Sequence, residues 1–307
     1  MKKLIPFAFL IIALNCFAAD APQKLAYEQK DAVWVANIDG TGAKKISDGQ
    51  SPDISRDGSK LVFNTVETRG IPPQSVSLSA GQLPHRQIAV ADLASGSITI
   101  LKDIPCENCM EAMWSPDGTQ ILFYYYEKGD RRIGVVNADG TGFRDVQKSE
   151  PKHVTYWSGA WAADGQSIYC QDMETLYHLD LDAKVLKKWK IEKLVPGGDM
   201  SGDVRLDVSP DGKTLLMDIS MDEKERKGWE GPPSAIWTMD LATEKVKRLT
   251  PKALYGWESH WLDADNIVFI SQAAGEKAQP IYRMSLTGDG KDKKVLVKEG
   301  RVPSVSK

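Results

Sequence analysis

Side chains able to do chemistry are few and scattered in these 307 residues. The tightest pair is Cys106-Glu107-Asn108-Cys109, and two thiols at that spacing can form a disulfide, exchange it or bind a metal. No His follows Cys109, no second Cys pair completes a zinc site, and no helix start supports a redox centre. A local structural disulfide between Cys106 and Cys109 is the expectation. A second group joins Glu258 and His260 with Asp53, Glu111, Arg205 and Asp207, a set that can hold a divalent cation or a polar ligand. A third is aromatic: Tyr156-Trp157, preceded by His153, and Tyr255-Gly256-Trp257. Rings beside hydrogen-bonding groups suit a sugar or a peptide; the same tryptophans also suit a role as filler between packed sheets.

Several reaction classes lack their signatures. The chain has no Gly-x-Ser-x-Gly elbow, no His-Glu-x-x-His and no Gly-x-x-x-x-Gly-Lys-Ser/Thr loop. Gly40-Thr41-Gly42 and Gly140-Thr141-Gly142 lie in hairpin turns, not phosphate cradles. The reading therefore leans away from an enzyme, and no resident cofactor is implied beyond the cation that the acidic set would accept.

The elements that must position these groups come from a repeat. Asp-Gly turns followed by an apolar strand recur at Ser55-Arg56-Asp57-Gly58, Ser115-Pro116-Asp117-Gly118, Ala162-Ala163-Asp164-Gly165 and Ser209-Pro210-Asp211-Gly212, with a degenerate copy from Trp261 to Phe269. Between them lies a second hairpin, begun by six runs such as Val33-Trp34-Val35-Ala36 and Ile236-Trp237-Thr238-Met239. Asp-Gly tolerates the positive φ of tight turns, and β-branched and aromatic runs fit pleated strands. Each unit supplies four antiparallel strands, one propeller blade. The chain ends Val302-Pro303-Ser304-Val305, like Ser51-Pro52-Asp53-Ile54, and stops where a second strand is due. Lys24-Leu25-Ala26-Tyr27-Glu28 supplies that strand, so both termini close the sixth blade and leave no open edge. The predicted fold is all-β, a six-bladed propeller over residues 20–307.

The run Trp114-Ser115-Pro116-Asp117-Gly118 with its apolar strand resembles the repeat of TolB-like propellers, and the resemblance extends over nearly all of the chain after residue 19. The Gly-His and Trp-Asp signature of WD40 blades is missing, which limits that relationship to architecture. TolB itself carries a further N-terminal domain, whereas here the repeats start soon after residue 19. The resemblance implies a binding role, since TolB-like propellers accept peptides. Propeller lyases with a similar repeat suggest a rival, a metal-dependent enzyme of polysaccharide breakdown, for which His153, His260, Glu258 and Asp207 would have to converge.

Taking Trp114, Trp161, Val208 and Trp261 as seam positions, strand alternation turns the residues one and three earlier toward the channel. Those residues are Glu111 and Met113, Ser158 and Ala160, Arg205 and Asp207, Glu258 and His260, with Ser51 and Asp53, Val302 and Ser304 equivalent. The set suits a ligand, and equally a water-filled channel in which Arg205 pairs with a neighbouring acid. The opposite end carries the variable connections, 68–86 and 222–235 the longest, the second with Trp229, and is the expected contact face for a protein or peptide, carbohydrate being the other candidate.

The first nineteen residues have the tripartite plan of a secretory signal: Lys2-Lys3, an apolar run from Leu4 to Leu14, then Ala18 and Ala19, with cleavage between 18 and 21. The run is too short for a membrane anchor. Cys16 is poorly placed for lipidation, its preceding Ala13-Leu14-Asn15 departing from the usual pattern. A periplasmic or secreted monomer follows. Removing the signal takes Lys plus Arg from 39 to 37 against 42 Asp plus Glu, a net charge near -5 that argues against nucleic acid.

Overall fold

The computed structural model of the chain describes residues 22–66, 86–102, 104–105, 108–127, 130–148, 154–202, 204–222, 233–252, 254–273, 275, 277–287 and 290–307. Six antiparallel sheets, the blades, succeed one another along the chain. Blade one runs from Gln50–Ile54 outward through Lys60–Asn64 and Ile88–Asp92 to Ile98–Ile100. Blade two begins at Cys109–Trp114 and ends at Arg144–Asp145, and blade three begins at Trp157–Trp161 and ends at Val185–Lys190. Blade five runs from Trp257–Trp261 to Lys294–Val297. Blade six takes its inner strand, Arg301–Val305, from the C-terminus and its other three, from Lys24–Gln29 outward, from the N-terminus. Leu25 faces Val305 and Ala26 faces Ser304, so the two ends are joined through a ladder of backbone hydrogen bonds.

Blade four departs from the pattern. Its inner strand is broken into Gly198–Asp199 and Leu206–Val208, both paired to Thr214–Met221. A short helical turn, Ile191–Leu194, precedes the break.

The Ser-x-Asp-Gly turns explain why the repeat is spelled as it is. Ser55 Oγ donates to Asp57 at 2.6 Å, and Asp57 accepts the Ser59 amide at 3.0 Å; Ser115 with Asp117 and Ser209 with Asp211 repeat the first contact at 2.6 Å. Gly58, Gly118 and Gly212 take φ near +70°, which a side chain would strain. These turns all lie at one end of the channel.

The core is distributed along the seams between blades. Trp114, Trp161 and Trp261 are buried there. The indoles of Trp161 and Trp261 also donate to the carbonyls of Met113 and Asp207, on the inner strand one blade back, at 3.4 and 3.3 Å. One residue type thereby fills the wedge and bonds across it.

Candidate functional site at the channel

Five of the six inner strands carry a bulge, and it falls on the same repeat position. Ser51, Glu111, Ser158, Glu258 and Val302 all have φ between 49° and 52°, and the register slips beside Ser51, Glu111, Ser158 and Glu258. A bulge frees a backbone N–H from its ladder, and each buried one needs an acceptor. The acceptors come from the preceding blade. Glu28 takes the Ser51 amide at 3.0 Å, Asn64 that of Ala112 at 3.4 Å, Asp218 that of Ser259 at 3.2 Å and Glu258 that of Val302 at 2.5 Å.

The residue just before each seam position makes a second tier of couplings. Asp53 accepts the Trp114 amide at 2.8 Å and the Ser304 hydroxyl at 2.6 Å, while Ser304 Oγ accepts the Ile54 amide at 3.1 Å. Asp207 accepts the Trp261 amide at 2.8 Å. His260 Nδ1 lies 2.9 Å from the same Asp207 oxygen, and Lys307 Nζ stands 3.8 Å away. Burial alone would raise the Asp207 carboxyl, but His260, Lys307 and the Trp261 amide hold it well below the usual carboxylate range.

Arg205 divides the channel. It donates through Nη1 to Pro303 O at 3.0 Å and brings Nη2 within 3.8 Å of Asp53, so it reaches from blade four to the inner strands of blades six and one. On the side of the Asp-Gly turns the channel is lined by Asp53, Met113, Ala160, Asp207, His260 and Lys307. On the side of the variable connections it is a cavity of about 160 Å³ lined by Ser51, Glu111, Ser158, Glu258, Arg301 and Val302. Arg205 lines both.

The expected residue set is thus split. Asp53, Asp207 and His260 belong to the turn side, Glu111 and Glu258 to the opposite mouth, and the bulge is what separates Glu258 from His260 on one strand. At that mouth Glu111 pairs with Arg131 and Glu258 with Arg301, each at 3.1 Å. Arg131 is buried, its guanidinium 4.1 Å from the Tyr124 ring centroid and 4.6 Å from that of Trp157. Trp157 and Trp257 are half-buried. Tyr156, expected among the face contacts, is only 2% exposed and packs edge-on against Tyr177, so its ring belongs to the core. His153, Trp229 and Cys106 lie outside the described residues, as do the first 21 residues and most of 68–86 and 222–235. Cys109 is disulfide-bonded and buried.

Asp218 is the residue that sequence reasoning passed over. It is fully buried between blades four and five and accepts the Ser259 hydroxyl as well as the Ser259 and Arg205 amides. Burial pushes its carboxyl up to about 7 despite those donors. The signal was its place in the repeat: Glu28, Asn64, Gln171 and Asp218 are each the fifth residue of a blade's second strand.

Among the described residues no group of three or more His, Cys, Asp or Glu is placed to hold a metal ion, and no helix is long and apolar enough to cross a membrane. The carboxylates of Asp53, Asp207 and Glu258 turn toward amides, hydroxyls and cations. They fit coupling better than cation binding.

These blades and their closure define a six-bladed β-propeller of the TolB-like fold. TolB from Acinetobacter baumannii superposes with a TM-score of 0.65 at 18% identity, over 94% of this chain and 67% of that one. An oligogalacturonate lyase from Vibrio parahaemolyticus superposes with a TM-score of 0.54 at 14% identity, over 85% and 73% of the two chains. In sequence, dipeptidyl-peptidase 5 of Porphyromonas gingivalis is 26% identical over a 313-residue alignment covering 83% of this chain. The chain spans 42% of that relative's length. No known family profile matches the chain.

Proposed function

We propose that this chain is an exported binding or scaffold protein that engages a protein or peptide segment at the mouth of the channel opposite the Asp-Gly turns. The observation that carries the reading is the division of labour among the charged residues. Asp53 and Asp207 are committed to holding blades together, whereas the Glu111–Arg131 and Glu258–Arg301 pairs leave Glu111 39% and Arg301 59% exposed at the mouth, near Trp157. Charges of both signs beside an aromatic ring suit a polar peptide surface, with the exposed Glu111 and Arg301 turned to the mouth while their partners Arg131 and Glu258 stay buried. The TolB-like fold supports the same role, and residues 1–19 support export.

The test places a photo-crosslinking side chain at Trp257, and in a second protein at Ile98 on the outer edge of blade one, and exposes each to the exported fraction of the source cells. One defined partner captured at 257, not at 98, and lost in a Glu111→Arg/Arg301→Glu variant supports the reading. Equal capture at both positions, or capture indifferent to the variant, overturns it.

One observation keeps an enzymatic reading in play: the Asp207–His260 contact on the turn side of the channel. A lyase acting there would generate unsaturated products from an acidic polysaccharide, with or without an added divalent cation, and would lose activity in His260→Ala.

A further inference from the structure

The outermost strand of blade three, Val185–Lys190, is the longest outer edge of the six, with six residues against five, three, two, three and four in the others. It ends its sheet, so no strand among the described residues pairs with its outward row of backbone N–H and C=O groups. Two aliphatic side chains are exposed at its start, Val185 at 45% and Leu186 at 49%, where a bulge sets Leu186 between the partners of His178 and Leu179. Lysines surround them: Lys184 before, Lys187, Lys188 and Lys190 within, Lys193 in the helical turn that follows. Lys187 is paired with Glu244 at 2.5 Å and Lys190 with Glu174 at 3.1 Å, whereas Lys184, Lys188 and Lys193 make no ion pair among the described residues. Lys188, Lys190 and Lys193 also wall a cleft of about 590 Å³ beside the strand, together with Thr175, Tyr177 and two carboxylates, Asp172 and Glu244, the second already paired with Lys187.

We propose that this edge receives an acidic peptide segment as a fifth strand, its aliphatic side chains against Val185 and Leu186 and its carboxylates toward Lys188 and Lys193. An added strand gains affinity from backbone hydrogen bonds and specificity from alternate side chains. Lysines on an edge ordinarily deter pairing, because a strand without countercharge leaves them facing one another or desolvated. A second copy of this chain would bring the same lysines opposite, so self-pairing is disfavoured. An acidic strand turns the deterrent into attraction. The surface lies on the outer rim, apart from the channel mouth, and its occupancy is independent of what binds there.

The test is fluorescence anisotropy of the intact protein with a labelled heptapeptide alternating Glu and Val, against a control alternating Lys and Val, at low and high salt. The acidic peptide saturates and weakens with salt, and the control does not bind. Lys188→Glu/Lys193→Glu lowers affinity by about tenfold or more with an unchanged melting temperature, Glu111→Arg leaves it unchanged, and hydrogen exchange slows across residues 185–190. No saturable binding of the acidic peptide, equal binding of both peptides, or full affinity in the double variant overturns the proposal.

Discussion

Arg205 in blade four donates to the carbonyl oxygen of Pro303 in blade six, 3.0 Å away, passing over blade five altogether. It does so from the point where the broken inner strand resumes, with its own amide held by Asp218 at 3.5 Å. The irregular blade is thus the one that spans the channel. A bond between non-adjacent blades ties the ring along a chord, where contacts between adjacent blades act only around the circumference.

Replacing Arg205 by Met keeps the apolar stem and removes the donors. Pro303 loses its partner and Asp53 its cation, and a hydrogen bond from a charged group contributes about 1.5–3 kcal/mol. Urea denaturation should show a loss in that range, with faster hydrogen exchange in Arg301–Val305 than in the other inner strands. A variant as stable as the parent would mean that the span contributes nothing.

Asp53 serves three inner strands, through Trp114, Ser304 and Arg205. Asp53→Ala leaves a buried amide and a buried hydroxyl without acceptors, a loss of about 2–6 kcal/mol by the usual cost of two such groups. Asp53→Asn retains one oxygen and should recover part of it. Equal losses in the two variants would show that charge, not hydrogen bonding, is what Asp53 supplies.

Asp218 predicts an inverted pH limb. Its folded carboxyl titrates near 7 because of burial, whereas in the unfolded chain it titrates near 3.9. Between those values the folded state holds a proton that the unfolded state has released, so stability falls as pH rises from about 4 to 7, by at most about 1.4 kcal/mol per unit. Asp57, Asp117 and Asp211 act oppositely: turn hydroxyls and amides hold their carboxyls low, and that stability is lost as pH drops below about 4. Urea midpoints should therefore peak in mildly acidic buffer, and Asp218→Asn should flatten the limb between pH 5 and 7. A parent protein whose midpoint rises across that interval would contradict the assignment.

The blades were legible in the sequence because turn chemistry and strand alternation are local, and Ser115-Pro116-Asp117-Gly118 states its conformation in four residues. The closing strand was legible because Val302 to Val305 copies Ser51 to Ile54. The bulges were not. Glu258 and Val302 adopt a left-handed conformation that their side chains do not favour and that no local turn residue announces. Asp218 and Asn64 were missed for a related reason: nothing local marks the partner of a polar residue in an apolar strand, and only the neighbouring blade shows that it feeds a bulged amide. Tyr156 and Trp157 are adjacent aromatics of similar character, and which of them faces the core depends on where the inner strand begins.

Gly202 offers a test of the channel mouth that leaves every charge in place. A Cβ there would lie 2.8 Å from Trp157 Cε3 and 3.1 Å from Cζ3, closer than carbon atoms pack. The backbone has no positive φ at Gly202, so the obstacle to Ala is the indole and not the main chain. Trp157 in turn carries Arg131 on its ring at 4.6 Å, and Arg131 carries Glu111 at 3.1 Å. Gly202→Ala should therefore cost about 1–3 kcal/mol, the usual range for overpacking, and displace the Trp157–Arg131–Glu111 row, weakening capture at position 257. In a Trp157→Phe background the smaller ring yields, and the same substitution should cost less than half as much. Equal cost in both backgrounds would place the clash elsewhere and detach Gly202 from the mouth.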